Sequence, residues 1–173
     1  DYSSYETENK LRYEEVLRQN GYKFTYGAGA EYAKYQNTTF QKVFIPAGED
    51  TVTEINYTSN LDFFKWSLFG QVSKSYLNDK LLLSLGLRSD ANSYSSQMSN
   101  LLKQISPRFS ASYSLTTKLA VNFNTGRYYQ LPAYTTLGYR LPEGELLNKT
   151  LGLRYIQADR IVAGFDYRRN DKS

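Results

Sequence analysis

The chain contains neither cysteine nor histidine. The absence of cysteine excludes disulfides, thiolate catalysis and cysteine-based metal sites. The absence of histidine removes the commonest general base and the commonest metal ligand, and a Ser-His-Asp triad cannot be assembled. We therefore expect a protein that is not an enzyme and that has no cofactor and no metal site.

Long apolar runs are also absent, since no segment approaches the ~18 consecutive apolar residues of a transmembrane helix. The apolar residues are instead rich in aromatics, with 17 Tyr, 9 Phe and 1 Trp, while the mean hydropathy is only −0.59. Strands that cross a membrane alternate apolar and polar side chains and therefore escape hydropathy scans. The 21 basic and 17 acidic residues form no concentrated basic stripe, so we expect no nucleic-acid partner.

Alternation with period two is the strongest positive signal. Between residues 61 and 76 the even positions include Phe64 and Trp66, whereas the odd positions are mostly serine, lysine and glutamine. After a polar turn, residues 81 to 93 place four leucines on one face and charged or amide side chains on the other. A helix would not separate the two classes in this way, so the pattern predicts β-strands.

Seven strands are predicted along the chain. They cover approximately residues 10–17, 23–35, 61–76, 81–93, 108–115, 119–126 and 161–167. Very short turns join the strands in pairs, whereas the longer segments 36–60, 94–105 and 129–158 are predicted to be loops. Consecutive antiparallel strands with short turns on one rim and long loops on the other are typical of outer-membrane barrels. We predict an all-β, antiparallel, up-and-down meander.

The parity of the strands assigns side chains to two faces. The predicted lipid-facing residues are Phe64, Trp66, Leu68, Leu83, Leu85, Phe109, Tyr113, Val121, Phe123 and Phe165. The predicted lumen-facing residues are Arg88, Asp90, Asn92, Arg108, Asn122 and Asn124. A soluble β-sandwich would alternate too, but its core usually prefers aliphatic residues and it needs turns at both rims. The aromatic apolar face and the asymmetric rims favour a membrane barrel.

Several short elements follow one another in residues 63–66, 83–90, 105–110 and 122–132. The second contains a leucine-glycine-leucine-arginine element at Leu85–Arg88, and the third a serine-proline-arginine element at Ser106–Arg108. Together they resemble the barrel of TonB-dependent outer-membrane receptors, in particular those of the Bacteroidetes type. The resemblance extends over roughly residues 20 to 168, and its specificity comes from the order and spacing of these elements.

The resemblance implies a transmembrane barrel of ~22 strands with a plug domain inside the lumen. Residues 1–173 would supply about a third of that barrel, without the plug domain and without the energy-coupling TonB box. The implied function is active import of a scarce, bulky nutrient (an iron chelate, corrinoid, glycan or peptide) across the bacterial outer membrane. The implied partners are outer-membrane lipid, the rest of the barrel and its plug, the TonB system and a surface lipoprotein.

Two other functions remain open from the sequence: a passive porin or structural barrel, and a soluble, aromatic-rich sheet that binds carbohydrate. Side chains near the longest predicted loop are candidates for ligand contact by stacking and hydrogen bonding at the external mouth. These rim candidates are Tyr128, Tyr129, Gln130, Tyr134, Tyr139 and Arg140. Packing within an aromatic girdle is the simpler role for the same residues.

Overall fold

The computed structural model describes residues 1–47, 49–141 and 143–169, with the backbone alone described for 43–47 and 49–53. The strands are β1 (Tyr2–Gln19), β2 (Tyr22–Ala47), β3 (Glu49–Tyr76), β4 (Leu81–Asn92), β5 (Ile105–Ser114), β6 (Leu119–Gln130) and β7 (Ile156–Tyr167). They form one antiparallel sheet in sequence order. This confirms the predicted all-β meander of seven strands.

Short turns close three hairpins at one rim. Asn20 and Gly21 have φ values of 52° and 76°, the left-handed conformation that a two-residue type I′ turn requires. This turn places Gln19 opposite Tyr22 and so sets the register of β1 against β2. The β3–β4 turn uses three consecutive residues with positive φ, from Leu77 to Asp79.

The prediction of a loop over residues 36–60 is wrong. β2 and β3 continue through this segment as one long hairpin, in which Gln36 pairs with Asn60 and Thr39 with Tyr57. The segment lacks alternation because polar and apolar residues are mixed at both parities of the sequence, but its many threonines, valines and isoleucines suit extended backbone. β1 pairs with the lower part of this extension up to Thr39.

The other two connections at the long rim contain short helical turns. Residues 93–104 end in a 3-10 helix, Leu101–Gln104, and residues 131–155 contain α1 (Tyr134–Leu137) and α2 (Leu147–Thr150). We call residues 131–155 the inner connection. In the described part of the chain, none of the helices has the length and apolarity to cross a bilayer.

The small hydrophobic core lies on one side of the sheet, near the long rim. It consists of Ala33, Tyr35, Leu61, Phe63, Tyr94, Met98 and Leu137. The first four belong to β2 and β3, whereas Leu137 comes from the inner connection. In the described residues, this core lies on one face of the sheet, where the inner connection and residues 93–104 fold over β2 and β3.

Candidate functional site

The ten residues predicted to face lipid share one side of the sheet, which we call the outer face. The register aligns Leu85 with Val72 on β3 and Phe109 on β5, and it aligns Val121 with Tyr113 and Phe165. Leu85 is 59% exposed and Phe165 is 76% exposed. In the described residues no second layer packs against them. Contact of this face with lipid stays a prediction.

Aromatic residues bound the apolar part of the outer face at two levels. At the short rim, Tyr22 lies directly opposite Lys74, whose Nζ is 4.0 Å from the centre of the Tyr22 ring. Toward the long rim, Tyr32 lies opposite Phe64, and Lys34 approaches the Tyr32 ring at 5.7 Å. Ten residues of a strand tilted by ~40° rise ~26 Å, close to the ~25 Å of a membrane-spanning apolar band.

The opposite side of the sheet, the inner face, carries the six residues predicted to face the lumen. Arg88 donates three hydrogen bonds to Asp90, at 2.6 to 3.1 Å. The Arg108 guanidinium instead lies 4.5 Å from the centre of the Tyr128 ring. Of these three charged residues, Arg88 and Asp90 form an ion pair, whereas Arg108 stacks on an aromatic ring.

The two amides on β6 lie on the inner face beside β7. Asn122 donates from Nδ2 to Asp166 Oδ2 at 2.6 Å, across to β7. Asn124 is exposed on the same face. Asn92 differs from both, because it is fully buried beneath the inner connection and donates to the Tyr155 hydroxyl at 2.9 Å.

The inner connection packs on the inner face of β2, β3 and β4. The Tyr94 hydroxyl donates to the carbonyl oxygen of Leu137 at 2.8 Å. The Tyr134 ring meets the Phe63 ring edge-on at a centroid distance of 5.4 Å. Arg140 donates to the carbonyl oxygen of Asn60 at 3.3 Å. The inner connection, which follows β6 in the chain, is therefore held against β2, β3 and β4.

A cluster of charged side chains links the inner connection to β1 and β3. Lys65 Nζ lies 2.8 Å from Glu8 Oε1, contacts Glu31 Oε1 and donates to the Tyr134 hydroxyl at 2.6 Å. The Tyr134 hydroxyl in turn donates to Glu8 Oε1. Lys10 completes the group, with Nζ 2.5 Å from Glu8 Oε2. We call these five residues the inner charge cluster.

Burial raises the pKa values of three tyrosines in the two connections at the long rim. Burial and the hydrogen bond to Glu8 raise the pKa of Tyr134 far above its ordinary value. Burial also raises the pKa of Tyr155 to about 12. It raises the pKa of Tyr94 as well. All three hydroxyls therefore remain available as hydrogen-bond donors at any physiological pH.

A cavity of about 450 Å³ opens on the inner face below the inner connection. Its charged lining consists of Lys10, Arg12, Lys65, Arg88, Arg108, Glu31 and Asp90. Tyr155 and Leu131 close it from the side of the inner connection. The arrangement offers many hydrogen-bond donors beside a few aromatic rings, which suits the binding of a polar solute.

The six rim candidates do not form one cluster. Tyr134 belongs to the inner charge cluster, whereas the Tyr139 ring packs on Tyr57 at 5.6 Å. Tyr128 and Gln130 follow the inner-face parity of β6, but Tyr129 is on the outer face and its hydroxyl donates to Gln157 at 3.0 Å. Arg140 donates to the carbonyl oxygen of Gly144 at 2.6 Å. Ligand contact by any of the six stays a prediction.

The sequence interpretation did not single out Glu8, Glu31 and Lys65 as a group. One signal was available, because a two-residue turn at Asn20 and Gly21 places Lys10 opposite Glu31 by counting alone. The contribution of Tyr134 had no such signal, since it lies 126 residues after its partner Glu8.

Gly138 allows the inner connection to approach β3 closely. A Cβ at this position would lie 3.0 Å from Ser59 Oγ and 3.2 Å from Tyr35 Cε1. We expect Gly138→Ala to lower the free energy of unfolding by ~1 kcal/mol through overpacking and to increase tryptic cleavage after Lys149. Gly164→Ala is the matched control, because its added Cβ meets no atom within 4 Å. Equal protease resistance of the two variants would contradict this packing.

In the described residues, no group of three or more acidic side chains is arranged to hold a metal ion.

A family model described as TonB dependent receptor-like, beta-barrel matches residues 1–173. No curated protein matches the chain.

Proposed function

This chain belongs to the TonB-dependent receptor-like β-barrel family, and from that premise we propose that residues 1–173 form part of a ~22-stranded barrel wall. Members of the family are bacterial outer-membrane receptors that act in transport, and transport rather than catalysis is the role of the family. In the proposed barrel the outer face contacts lipid, and the inner face lines a lumen that a plug domain occupies. The likeness to the Bacteroidetes type remains a prediction.

One observation supports this proposal most: the two faces of the sheet have opposite character at the same height. The outer face exposes Leu68, Leu85 and Leu87, each more than half accessible, between two aromatic levels. The inner face carries the inner charge cluster and the Arg88–Asp90 pair at a comparable level. A soluble sheet gains nothing from exposing such a band to water, whereas a barrel wall between lipid and a hydrated lumen requires it.

The ligand in this proposal is a scarce, bulky nutrient: an iron chelate, a corrinoid, a glycan or a peptide. Short turns face the periplasm and the long rim faces the exterior, as in other outer-membrane barrels. The inner connection then narrows the lumen instead of reaching outward, and the cavity beneath it lies on the path of the solute. Energy comes from the TonB system through the plug, and a surface lipoprotein is a further candidate partner at the long rim.

Growth of a strain that lacks the complete gene tests the import function. We expect loss of growth on one of the four nutrient classes at limiting concentration, restored by the gene and abolished again when TonB is inactivated. A passive porin would restore growth without TonB and would favour small solutes. Growth of the deletion strain on all four classes equal to that of the parent would contradict the proposal.

Detergent dependence separates the membrane barrel from a soluble, carbohydrate-binding sheet. The 173-residue chain alone is expected to stay monodisperse only in detergent, because its outer face has no protein partner in the described residues. A monodisperse monomer in plain buffer would favour the soluble alternative.

A further inference from the structure

β3 has an unpaired edge toward the long rim, beyond the end of β4. In this part of β3, β2 pairs along one side, and no strand of the described residues pairs along the other. The residues concerned include Glu54, Asn56, Thr58 and Asn60, all of which are exposed. We call residues 54–60 of β3 the free edge.

The register shows which backbone groups point out of the free edge. Phe64 directs both of its backbone groups away from β2: its carbonyl oxygen accepts from the Ser93 N–H at 2.9 Å, and its own N–H donates to Ser93 Oγ at 2.9 Å. Along a strand of an antiparallel sheet this direction alternates from one residue to the next. The pairing of β3 with β2 continues without a bulge from Phe64 to Glu54. The even residues of the free edge therefore also direct their N–H and C=O groups away from β2.

Most of these backbone groups have no partner in the part of the chain that the structure describes. The carbonyl oxygen of Asn60 accepts from Arg140 at 3.3 Å. Among the described residues, no other backbone group on this side of the free edge forms a hydrogen bond. The remaining donors and acceptors repeat every ~6.8 Å along ~20 Å of strand. Such a row is a template for pairing with another extended chain.

The free edge lacks the features that usually protect an edge strand, which are proline, lysine and β-bulges. Residues 54–60 contain no proline and no lysine, and their register against β2 is regular. The inner connection holds the same segment from the inner face, where the Tyr139 ring packs on Tyr57 at 5.6 Å and Ser59 is fully buried. The free edge is therefore fixed before a partner arrives, which lowers the entropic cost of binding.

Arg140 lies at the end of the free edge that is nearer to β4. Besides its bond to Asn60, the guanidinium donates to the carbonyl oxygen of Gly144 at 2.6 Å. No carboxylate of the described residues lies within 4 Å of this guanidinium. Because a guanidinium has five N–H donors, donors remain for a further acceptor, and a carboxylate is the acceptor that also compensates the charge.

We propose that the free edge binds a short extended peptide as an added strand, with the carboxyl terminus of the peptide at Arg140. A polypeptide matches the repeat of donors and acceptors, whereas an iron chelate, a corrinoid or a glycan does not. A second copy of this chain fits poorly, because pairing over residues 54–62 would place Glu54 of one copy opposite Asp62 of the other, and like charges in that position are destabilising. The inference rests on the proposed function and makes peptide the nutrient class.

Fluorescence anisotropy measures peptide binding to the complete receptor in detergent. The probe is a heptapeptide of alternating threonine and alanine, with a label at its amino terminus and a free carboxyl terminus. A form N-methylated at every second residue keeps one edge able to pair, so it should bind about as well as the probe. A form N-methylated at every residue has no such edge and should bind at least about tenfold more weakly. The carboxyl-terminal amide should bind about threefold more weakly than the probe, and Arg140→Gln should remove that difference.

Thr58→Pro tests the receptor side of the same pairing. It removes an N–H that points away from β2, and proline is tolerated at such a position of an edge strand. Thr58→Val is the matched control, because it keeps the N–H and the β-branched shape. We expect Thr58→Pro to bind the probe at least about fivefold more weakly and Thr58→Val to bind it as the parent receptor does. Heat-modifiable migration verifies that each variant is folded.

Equal binding of the probe and of its fully N-methylated form would overturn the proposal, as would binding by folded Thr58→Pro at the level of Thr58→Val. The peptide series uses the parent receptor, so it decides the question even if Thr58→Pro does not fold. Neither measurement involves TonB or growth. Loss of peptide binding would leave import of another nutrient class standing, and loss of the import proposal would leave the binding result interpretable.

Discussion

Replacement of Lys65 by methionine is expected to lower the free energy of unfolding of the receptor by ~2 kcal/mol, because Glu8 and Glu31 lose one of their two shared cations and keep only Lys10. The Lys65 and Glu31 side chains are each 19% exposed and that of Glu8 is 21% exposed, so water compensates the lost charge only in part. Urea unfolding of the receptor in lipid vesicles measures the change. Tryptic cleavage after Arg140 and Lys149 should increase as well, because Lys65 also holds Tyr134.

Arg127→Met is the matched control for this experiment. Arg127 and Asp159 form an ion pair at 2.8 Å between neighbouring strands, but their side chains are 43% and 59% exposed. Exposed pairs of this kind contribute little, so we expect no measurable change. If Lys65→Met unfolded like Arg127→Met and cleavage of the inner connection did not change, the inner charge cluster would not be what holds that segment in place.

Leu85→Lys is expected to lower the fraction of the receptor that reaches its folded form in the outer membrane. A lysine on the lipid face costs about 2 to 4 kcal/mol at the bilayer centre and less toward the interfaces, and Leu85 lies in the apolar band beside Val72 and Phe109, closer to the short rim than to the long rim. The measurement is the fraction of receptor that migrates as the heat-modifiable folded species after extraction of outer membranes.

Ser84→Lys provides the comparison on the adjacent residue and the opposite face. It removes the hydrogen bond from Ser84 Oγ to Ser73 Oγ, at 2.8 Å, but it places the ammonium group toward the inner side, where water can solvate it. The folded fraction should stay close to that of the parent. Because Leu85 is 59% exposed, a lysine there would be harmless if this face met water, and equal folding of the two variants would contradict a lipid-facing role.

The meander could be predicted from the sequence because its strands have one apolar and one polar face. The same criterion explains the error over residues 36–60. There the β2–β3 hairpin extends past the apolar band, polar and apolar residues are mixed at both parities, and the period that reveals a strand disappears although the ladder of hydrogen bonds continues. Composition carried the remaining signal, since β-branched residues are frequent in that segment.

The candidate site could be predicted only where it depends on local register. Counting from the Asn20–Gly21 turn brings Lys10 opposite Glu31, and parity places Arg88 and Asp90 on one face. The position of Tyr134 depends on how a connection of irregular backbone folds over a distant part of the sheet. No periodicity encodes that path. It follows from the burial of Leu137 and from the space that Gly138 leaves against β3.

The seven strands end at very different heights. β4 pairs with β3 only from Lys65 onward, so residues 49–63 of β3 continue with a neighbour on one side alone. Fifteen residues of strand measure ~50 Å along their axis. The long rim of these strands is therefore uneven: it is high over β1 to β3 and low over β4 to β7. In the proposed barrel the mouth is lower beside β4 to β7 than behind the β2–β3 hairpin, so a large solute has less strand to clear on that side.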